Sequence, residues 1–361
     1  MKILVLTSRY TALRDIIDED FGRQTRLFSE LKRLGHEIHM LCADYKKFES
    51  KKIKLHGMDV SSVPFNVFFP FPFLMTLNKT IKKEKPQLII GSGDPLWGVV
   101  GYYFSRKFEI RFLYDLHDNY EVYQSYRMIP FFKYIDKYVM KRVDIVTTVS
   151  QTLKNKIKRG IRKNAFVIPN GFEPSVFKPM NKEQCRKKLG LPKSAKIIAY
   201  AGRIGGKFEK NQSIIVLIKA FEIVRNKFPD TYLTVMGQWA YKDINWKHRN
   251  LIFLGSGDQK KVAMLINAAD VAVVPNPDND FTRYCFPYKI VEYMACKTPV
   301  VATDVGDVKL LLEKHKWSLC RFSPGDMADK IIRNLNKGKV DYKIEEYSWK
   351  NIAKRLDKII K

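Results

Sequence analysis

Short apolar runs rich in β-branched residues alternate with helical patterns along the whole chain. In the first half, these runs predict strands at 2–7, 37–42, 87–91, 111–115, 144–149 and 165–169. In the second half, they predict strands at 196–202, 231–236, 250–254, 270–275, 299–303 and 317–321. Strands that alternate with helices form parallel sheets covered by helices on both faces. The pattern therefore predicts an α/β protein with two doubly wound, Rossmann-like domains.

The length of the chain and one turn-rich segment predict the domain boundaries. A chain of 361 residues is too long for one ordinary compact core. The segment PNGFEPSVFKP at 169–179 marks the boundary, so we expect a first domain over 1–172 and a second over 173–344. Residues 345–361 are amphipathic and predict a final helix, whose apolar stripe must be buried on its own domain or on the other.

Composition excludes several classes of protein. No apolar run reaches the ~20 residues that a membrane-spanning helix needs. The start, MKILVLTSRY, lacks the long apolar region and cleavage site of a signal peptide, so we expect a cytoplasmic protein. The five cysteines form no C-x-x-C pair and the histidines no H-E-x-x-H motif, so we expect neither a disulfide framework nor a metal site.

The formal net charge of +28 indicates an anionic partner. Nucleic acid, anionic lipid and phosphorylated small molecules all fit such a charge. The excess is uneven, since residues 151–200 hold thirteen Lys and Arg against two Glu. No recognised nucleic-acid-binding module is present, so we expect no nucleic-acid partner.

The residues that follow each strand are the candidates for chemistry, because doubly wound sheets bind ligands beyond the carboxyl ends of their strands. The strand at 196–202 runs into AGRIGGKFEKNQ, which places Arg203, Lys207 and Lys210 in one glycine-containing loop before a helix. Glycines let backbone N–H groups approach a ligand, and a helix N-terminus adds partial positive charge. The loop is therefore either a diphosphate-binding loop or a solvated basic turn.

A second candidate lies on the helix within FPYKIVEYMACKTPVVAT, residues 286–303, where Pro287 fits the first helical turn. Glu292 lies at the edge of the apolar face, three residues after Lys289. On one interpretation the two form a surface pair that contributes about 0.2–0.5 kcal/mol. On the other, the Glu292 carboxylate accepts hydrogen bonds from two ribose hydroxyls.

Polar residues follow three strands of the first half. His117 and Asp118 follow the strand at 111–115 and are well placed to meet a substrate, although a lone histidine is more often structural. Ser150 and Asn170 also follow strands, and both types of residue serve as ordinary caps or turns.

These segments, in this order, resemble the retaining GT-B glycosyltransferases of family 4, also called group 1 glycosyltransferases. The resemblance covers nearly the whole chain and is strongest in VSQTLKNKI, VIPNGFEPSVF, AGRIGGKFEKNQ, VMG and FPYKIVEYMACKTPVVATDVG. It implies two Rossmann-like domains facing across a cleft, with the acceptor on the first and the nucleotide on the second. It also implies a final helix that crosses back to the first domain, and a nucleotide-diphosphate sugar as donor, with no cofactor.

The resemblance implies roles for individual residues. Arg203 and Lys210 contact the donor diphosphate, with Lys207 as a competitor, and both carry catalysis together with His117 near the sugar. Glu292 binds the ribose. Further donor-binding positions are Gly22, Gly202, Phe286, Pro287 and Lys289. The positions implied to contact the sugar or the acceptor are Asp118, Ser150, Asn170, Asp280 and Tyr284.

One position departs from the pattern of the family. The paired-glutamate motif E-x7-E ends at Glu292, and its first glutamate falls at position 284, where this chain has Tyr284. That first glutamate normally touches the transferred sugar. Asp280 or Lys289 are the candidates to compensate for it, and a catalytically degenerate nucleotide-sugar or anionic-ligand binding protein is the alternative to an active enzyme.

Two segments that mix aromatic residues with basic residues indicate a membrane as the source of the acceptor. VPFNVFFPFPFLM at 63–75 leads into a lysine-rich helical segment, and RMIPFFKYIDKYVMKR at 127–142 has the same mixture. Such surfaces suit an anionic bilayer, at about 1 kcal/mol for each Lys or Arg near it. We therefore expect peripheral binding to the cytoplasmic face of the membrane and a lipid-linked or other cell-envelope glycan acceptor, unless the aromatics are helix core and the lysines solvated.

A dinucleotide-dependent oxidoreductase would share the predicted fold. It would carry G-x-G-x-x-G after the first strand, where this chain has LTSRYTALRD. A nucleic-acid-binding protein would explain the charge but not the ordered loop motifs. These exclusions leave the glycosyltransferase, which the family resemblance implies to be retaining and metal-independent.

Overall fold

The computed structural model describes residues 1–11, 14–124, 126, 131–204, 212–238 and 249–361. The chain divides into two compact units. The first comprises Met1–Asn170 together with Trp349–Lys361, and the second is Gly171–Ser348. The chain therefore passes between the units twice.

The first unit is built on a sheet with strands from both ends of Met1–Asn170. Its elements in chain order are β1 (Lys2–Ser8), β2 (Tyr10–Thr11), β3 (Arg14–Asp15), α1 (Arg23–Arg33), β4 (Glu37–Asp44), β5 (Lys51–Leu55), β6 (Met58–Pro64), α2 (Phe71–Glu84), β7 (Leu88–Ser92), α3 (Pro95–Lys107), β8 (Arg111–Leu116), a 3-10 turn (Tyr120–Val122), α4 (Phe132–Arg142), β9 (Ile145–Thr148), α5 (Gln151–Ile161) and β10 (Phe166–Val167).

The sheet order in the first unit is β10-β9-β8-β7-β1-β4-β6-β5, and the pairs are parallel except for β5 with β6. β1 lies at the centre, with Val5 between Met40 of β4 and Ile90 of β7. The inner residues of β1 are fully buried because helices cover both faces of a parallel sheet. The chain order reverses direction on the two sides of β1, which is the doubly wound arrangement.

Side chains cap the first turns of two helices of the first unit. The Asp94 side chain accepts a hydrogen bond from the Leu96 N–H at 2.9 Å at the start of α3, where Pro95 is the first helical residue. The Ser150 hydroxyl accepts one from the Leu153 N–H at 3.1 Å at the start of α5. Both side chains satisfy N–H groups that a helix cannot pair internally.

The second unit contains a six-stranded parallel sheet. Its elements are α6 (Lys182–Leu189), β11 (Lys196–Ala201), α7 (Gln212–Lys227), β12 (Thr231–Met236), β13 (Leu251–Phe253), α8 (Gln259–Ala268), β14 (Val271–Val274), α9 (Tyr288–Ala295), β15 (Val300–Thr303), α10 (Val308–Leu311), a 3-10 segment (Glu313–Ser318), β16 (Leu319–Cys320), α11 (Pro324–Asn334) and a 3-10 turn (Glu345–Tyr347). The strand order β13-β12-β11-β14-β15-β16 reverses beside β11, as in dinucleotide-binding Rossmann folds.

The last helix, α12 (Trp349–Ile360), packs in the first unit against α1. Its buried stripe is Trp349, Ile352, Ala353, Leu356 and Ile360. Two polar contacts add to this packing. Asp357 Oδ1 lies 2.7 Å from His36 Nε2, and Arg111 donates to the Ile360 carbonyl at 2.8 Å.

The predicted strands are all present, and the doubly wound α/β fold is confirmed in each unit. The sequence missed the two-residue strands β2 and β3 and the longer strands β5 and β6. β5 has the sequence KKIKL and lies at the sheet edge, where lysines protect exposed backbone from pairing with other chains. β6 buries Ser61 and Ser62 where an apolar residue would have marked a strand, and Ser61 Oγ lies 2.8 Å from His39 Nε2.

Candidate functional site

In the second unit, the carboxyl end of β11 is held by two tyrosine hydroxyls. Tyr293, on α9, accepts a hydrogen bond from the Ala201 N–H and donates one to the Ala201 carbonyl, both at 2.9 Å. Tyr200 donates from its hydroxyl to the Arg203 carbonyl at 3.0 Å. The last residue of β11 and Arg203, two residues further along, are therefore both held by tyrosine hydroxyls.

Two glycines allow the backbones of β11 and β12 to approach each other after the strands end. Gly202 has φ +152° and Gly237 has φ +157°, a region that favours glycine. A Cβ on Gly237 would overlap the carbonyl of Gly202, and one on Gly202 would overlap the end of the Lys289 side chain. The predicted donor-binding residues Gly202 and Lys289 therefore lie in contact.

Lys289 belongs to a hydrogen-bonded chain that reaches Arg203. Its Nζ donates to the Tyr200 hydroxyl at 3.0 Å and lies 4.6 Å from the centre of the Tyr200 ring. The same hydroxyl donates to the Arg203 carbonyl. Arg203 itself is exposed. Two cations, Arg203 and Lys289, thus stand at the carboxyl end of β11.

Glu292 is half-buried and lies on α9, three residues beyond Lys289. Burial raises the pKa of its carboxyl to about 7, and the nearby charge of Lys289 opposes this rise. Lys289 Nζ also donates to the Tyr200 hydroxyl, so this lysine links Glu292 to the end of β11. A half-buried carboxyl with a raised pKa is typical of a functional position.

The segment that carries Tyr284 and Asp280 is a compact turn. Arg283 contacts Asp278 at 3.0 Å and Asp280 at 3.6 Å, and all three side chains are well exposed. The Asp280 carboxylate therefore forms an ion pair with Arg283 within this turn. Tyr284 is half-buried and its N–H donates to the carbonyl of Phe281 at 3.3 Å.

Of the remaining predicted donor residues, Phe286 is buried and stacks on Tyr347 at 5.8 Å between ring centroids. Pro287 is the residue that caps α9 rather than its first helical residue. Lys207 and Lys210 lie outside the described residues.

In the first unit, Arg23 and Asp115 form a buried pair at the carboxyl end of the sheet. Arg23 Nε and Nη2 donate to the two carboxylate oxygens at 3.2 and 3.0 Å. The two side chains are only 2% and 3% exposed. Burial alone would raise the pKa of Asp115, but Arg23 and His117 hold it well below its usual range. Asp115 is therefore a permanent carboxylate.

This carboxylate orients His117. His117 Nε2 lies 2.9 Å from Asp115 Oδ2 and 3.0 Å from Ser92 Oγ. Because an ionised carboxylate only accepts hydrogen bonds, the neutral ring donates from Nε2 and keeps Nδ1 as an acceptor. Burial lowers the pKa of His117 although Asp115 opposes this. The arrangement keeps His117 neutral with its tautomer set.

Asp118 follows His117 and is half-buried. Burial raises the pKa of its carboxyl to about 7, opposed by a hydrogen bond that the Tyr123 hydroxyl donates at 3.3 Å. The pair His117–Asp118 thus combines a neutral imidazole with a carboxyl that titrates near neutral pH.

The other predicted residues of the first unit have structural roles in the same region. Gly22, with φ +106°, precedes the first turn of α1, which carries Arg23. Asn170 Oδ1 accepts from Arg23 Nη1 at 3.4 Å. Ser150 is fully buried and caps α5. Gly22 and Asn170 therefore lie with the Arg23–Asp115 pair.

The sequence reading missed Arg23, Asp115 and a second buried arginine. Arg9 is fully buried and contacts Asp15, Asp18 and Asp44 at 2.9 Å each. The available signal was a charged residue at a strand end, since Arg9 follows β1 and Asp115 is the second-to-last residue of β8. Among the described residues, no group of three or more His, Cys, Asp or Glu could hold a metal ion, and no helix is long and apolar enough to cross a bilayer.

Known proteins with similar sequences are glycosyltransferases. The chain is 25% identical over 349 residues to the putative teichuronic acid biosynthesis glycosyltransferase TuaC of Bacillus subtilis, covering 89% of this chain and 85% of that protein. It is 24% identical to the phosphatidyl-myo-inositol mannosyltransferase of Mycobacterium tuberculosis over 58% of this chain and 57% of that protein.

Similarity to solved structures extends over the whole chain. The structure of Anabaena HepE in complex with UDP-glucose matches with a TM-score of 0.72 and 18% sequence identity, covering 100% of this chain and 99% of that one. At this identity the match concerns the fold, which is GT-B. Family models match residues 25–176 as Glycosyltransferase Family 4 and residues 195–337 as Glycosyl transferases group 1. The chain therefore belongs to the family 4, group 1 glycosyltransferases of the GT-B fold.

Proposed function

We propose that this glycosyltransferase moves a sugar from a nucleotide-diphosphate sugar to a hydroxyl of a lipid-linked or other cell-envelope glycan, with retention of configuration and without a metal. The observation that carries the proposal is the set of groups around the end of β11. Gly202 lies against the end of the Lys289 side chain, Lys289 and Arg203 supply positive charge, and Glu292 supplies a carboxyl. Positive side chains pair with a diphosphate, and a carboxylate accepts hydrogen bonds from ribose hydroxyls.

In the proposed reaction, the second unit holds the nucleotide. Arg203 and Lys210 stabilise the negative charge that grows on the leaving diphosphate, the part that a metal plays in other transferases. The Glu292 carboxylate accepts the hydrogen bonds of two ribose hydroxyls. On the first unit, neutral His117 meets the sugar or the acceptor from Nδ1, the nitrogen left free by the bond of Nε2 to Asp115.

A donor screen tests the proposal. The full chain is mixed with UDP-, GDP- and ADP-sugars, and the melting temperature and the slow hydrolysis of each donor are measured. One nucleotide should raise the melting temperature because a ligand that binds the folded state stabilises it. The HepE structure with UDP-glucose makes UDP-glucose the first donor to test. Absence of both stabilisation and hydrolysis with all three classes would refute the proposal.

Two further measurements test the finer points. Proton NMR of the first-formed hydrolysis product gives its anomeric configuration, which should match that of the donor. Turnover should be unchanged by EDTA. A donor that binds without any hydrolysis or transfer would instead support the catalytically degenerate binding protein, the alternative raised by Tyr284.

A membrane surface is the proposed source of the acceptor. Exposed apolar residues cluster before and on α2. The four with the largest exposed fractions are Phe68 (93%), Phe69 (61%), Met75 (60%) and Phe71 (59%). Lysines follow on the same helix at 79, 82 and 83. The mixture fits an anionic bilayer. TuaC is named for teichuronic acid biosynthesis and the Mycobacterium tuberculosis protein for a lipid, phosphatidyl-myo-inositol.

Flotation with liposomes tests this surface. The chain should float with vesicles that contain anionic lipid and much less with neutral vesicles or at high salt. The Phe68→Ser/Phe71→Ser double variant should lose flotation while it keeps donor hydrolysis. Equal flotation of variant and wild type would contradict the assigned surface.

A further inference from the structure

The two segments in which the chain passes between the units are hydrogen-bonded to each other. The chain leaves the first unit after Asn170 and returns to it at Trp349. Just inside the second unit, the Phe172 N–H donates to the Tyr347 carbonyl at 3.0 Å, and Phe172 forms a parallel bridge with Ser348. Phe172 and Ser348 are both buried. The backbone of Tyr347 is therefore held where the chain leaves the second unit.

Tyr347 is also held on its N-terminal side. It is the last residue of the 3-10 turn Glu345–Tyr347. Its N–H donates to the carbonyl of Ile344 at 2.9 Å, and Ile344 is buried. Because both backbone groups of Tyr347 are hydrogen-bonded to buried residues, its side chain projects from a defined point of the second unit.

The ring of Tyr347 lies against the segment that leads into α9. It stacks on Phe286, with 5.8 Å between the ring centroids and 22° between the ring planes. Phe286 is only 5% exposed and directly precedes Pro287, the N-cap residue of α9. Lys289 and Glu292 both lie on this helix. The stack therefore joins the end of the second unit to the start of the helix that carries proposed donor-binding side chains.

The start of α9 depends on tertiary contacts of this kind. The helix has eight residues, Tyr288–Ala295, and a helix of this length is marginal by itself. Pro287 has no side-chain oxygen that could accept hydrogen bonds from the first N–H groups of the helix. The second half of α9 is held at β11 through the Tyr293 hydroxyl. The stack of Phe286 on Tyr347 is a corresponding contact at the start.

The position of Lys289 is sensitive to a shift of the start of α9. Lys289 is the second residue of the helix, and its Cε lies so close to Gly202 that a Cβ on this glycine would overlap it. Its Nζ donates to the Tyr200 hydroxyl at 3.0 Å. Because hydrogen bonds weaken steeply outside a narrow range of distance and angle, a small shift of α9 weakens the contacts that Lys289 and Glu292 offer to a ligand.

We propose that Tyr347 is a positioning residue of the donor site, which holds Lys289 and Glu292 in place through the stack of its ring on Phe286. The inference rests on the proposed function and adds to it a residue outside the donor segment, in the turn where the chain leaves the second unit. A ring that served only for packing would contribute to the free energy of unfolding and leave the nucleotide affinity of the folded protein unchanged. A positioning residue changes that affinity.

Nucleotide binding to the full chain tests the proposal. UDP, GDP and ADP are titrated calorimetrically into the wild type, and the one that binds most tightly is the probe for the variants. Tyr347→Leu should raise the Kd of the probe about fivefold, the factor that an aromatic pair contributes. Tyr347→Phe keeps the ring on Phe286 and should bind within about twofold of the wild type.

Trp317→Leu is the matched control. Trp317 is a half-buried aromatic residue of the same unit, like Tyr347, and its ring contacts Lys337 and His315, which lie outside α9. Its loss should lower the melting temperature and leave the Kd of the probe within about twofold of the wild type, because separate sites act independently. Equal loss of affinity in Trp317→Leu and Tyr347→Leu would assign the effect to general destabilisation and overturn the proposal.

A double-mutant cycle shows whether Tyr347 acts through Phe286. Phe286→Leu keeps an apolar side chain but removes the stack, so it stays informative if Tyr347→Leu fails to fold. Since both substitutions remove the same contact, the double variant should bind no more weakly than the weaker-binding single variant.

The outcomes separate the positioning role from the proposed function. Effects that multiply in the double variant, or normal binding by Tyr347→Leu and Phe286→Leu, would overturn the positioning role and leave the proposed function standing. Absence of binding of all three nucleotides to the wild type would refute the proposed function and this inference together.

Discussion

The carboxyl ends of the strands are held in place in both units, but by different types of side chain. In the first unit, fully buried Arg9 and Arg23 are each paired with buried carboxylates, and these pairs hold the strand ends together. In the second unit, the end of β11 is held by the uncharged hydroxyls of Tyr200 and Tyr293. Arg203 there is exposed.

The difference teaches where positive charge is committed to the fold and where it faces a ligand. A buried arginine that meets carboxylates is neutralised inside the protein and costs stability when one partner is removed. An exposed arginine at a strand end contributes little to folding. We therefore expect that removing a buried arginine of the first unit lowers the stability of the protein. Removing the exposed Arg203 of the second unit should lower activity instead.

The largest expected effect is that of Arg23→Met. Removal of the guanidinium leaves Asp115 buried without its main partner, so the first unit should lose about 3–5 kcal/mol of stability. Chemical denaturation followed by circular dichroism measures it. Lys54→Met, which breaks the exposed pair with Asp59, is the control and should cost less than about 1 kcal/mol. Equal stability of the two variants would contradict the expectation that the buried pair contributes more to folding than the exposed pair.

Arg203→Ala comes next. In the proposed function Arg203 donates a charge-assisted hydrogen bond worth about 1.5–3 kcal/mol to the diphosphate. The variant lacks this donor, so kcat/KM should fall about ten- to a hundredfold. The melting temperature should stay within the error of the wild type. Arg321→Ala, at a side chain that is 87% exposed, should leave both quantities unchanged. A lowered melting temperature without lost turnover would assign Arg203 to the fold.

The pH dependence of donor binding sharpens the assignment of Glu292. Its carboxyl is protonated below its raised pKa of about 7 and ionised above it. Only the ionised form accepts both ribose hydrogen bonds, so donor affinity should rise about tenfold from pH 6 to pH 8. Glu292→Gln should bind more weakly at pH 8 and show a flat profile. The same slope in the variant would exclude this carboxyl as its source.

The smallest expected effect is that of Tyr200→Phe. The hydroxyl donates to the Arg203 carbonyl and accepts from Lys289, so its removal loosens both cations by about 1 kcal/mol. Donor KM should rise about fivefold while kcat changes little, because the reacting groups remain. Tyr232→Phe on β12 serves as the control. An unchanged KM would show that Tyr200 does not position the two cations.

Local pattern was sufficient to predict most of the fold. The apolar runs at β1, β11 and β14 are buried on both faces, so their composition alone identifies central parallel strands. It failed at β5 and β6, because a lysine-rich edge strand and a strand with buried serines lack that composition. A polar strand is recognised only through the neighbour with which it pairs.

The candidate site was predictable where the relevant residues are close in sequence. Gly202, Arg203, Lys289 and Glu292 lie on two short segments that the family motifs mark. Arg23 and Asp115 were not predictable, because 92 residues separate them along the chain. Their pairing depends on β8 lying at a particular position in the sheet.

The sequence by itself determined the two doubly wound units, the strand-end location of the candidate chemistry and the membership in the glycosyltransferase family, because periodicity and short motifs are local properties. The tertiary structure alone decided which cations are neutralised and which are exposed. It set the tautomer of His117 through Asp115 and joined Lys289 to Tyr200. The physical reason is that burial and ionic contacts depend on distances between strands, and the sequence does not record those distances.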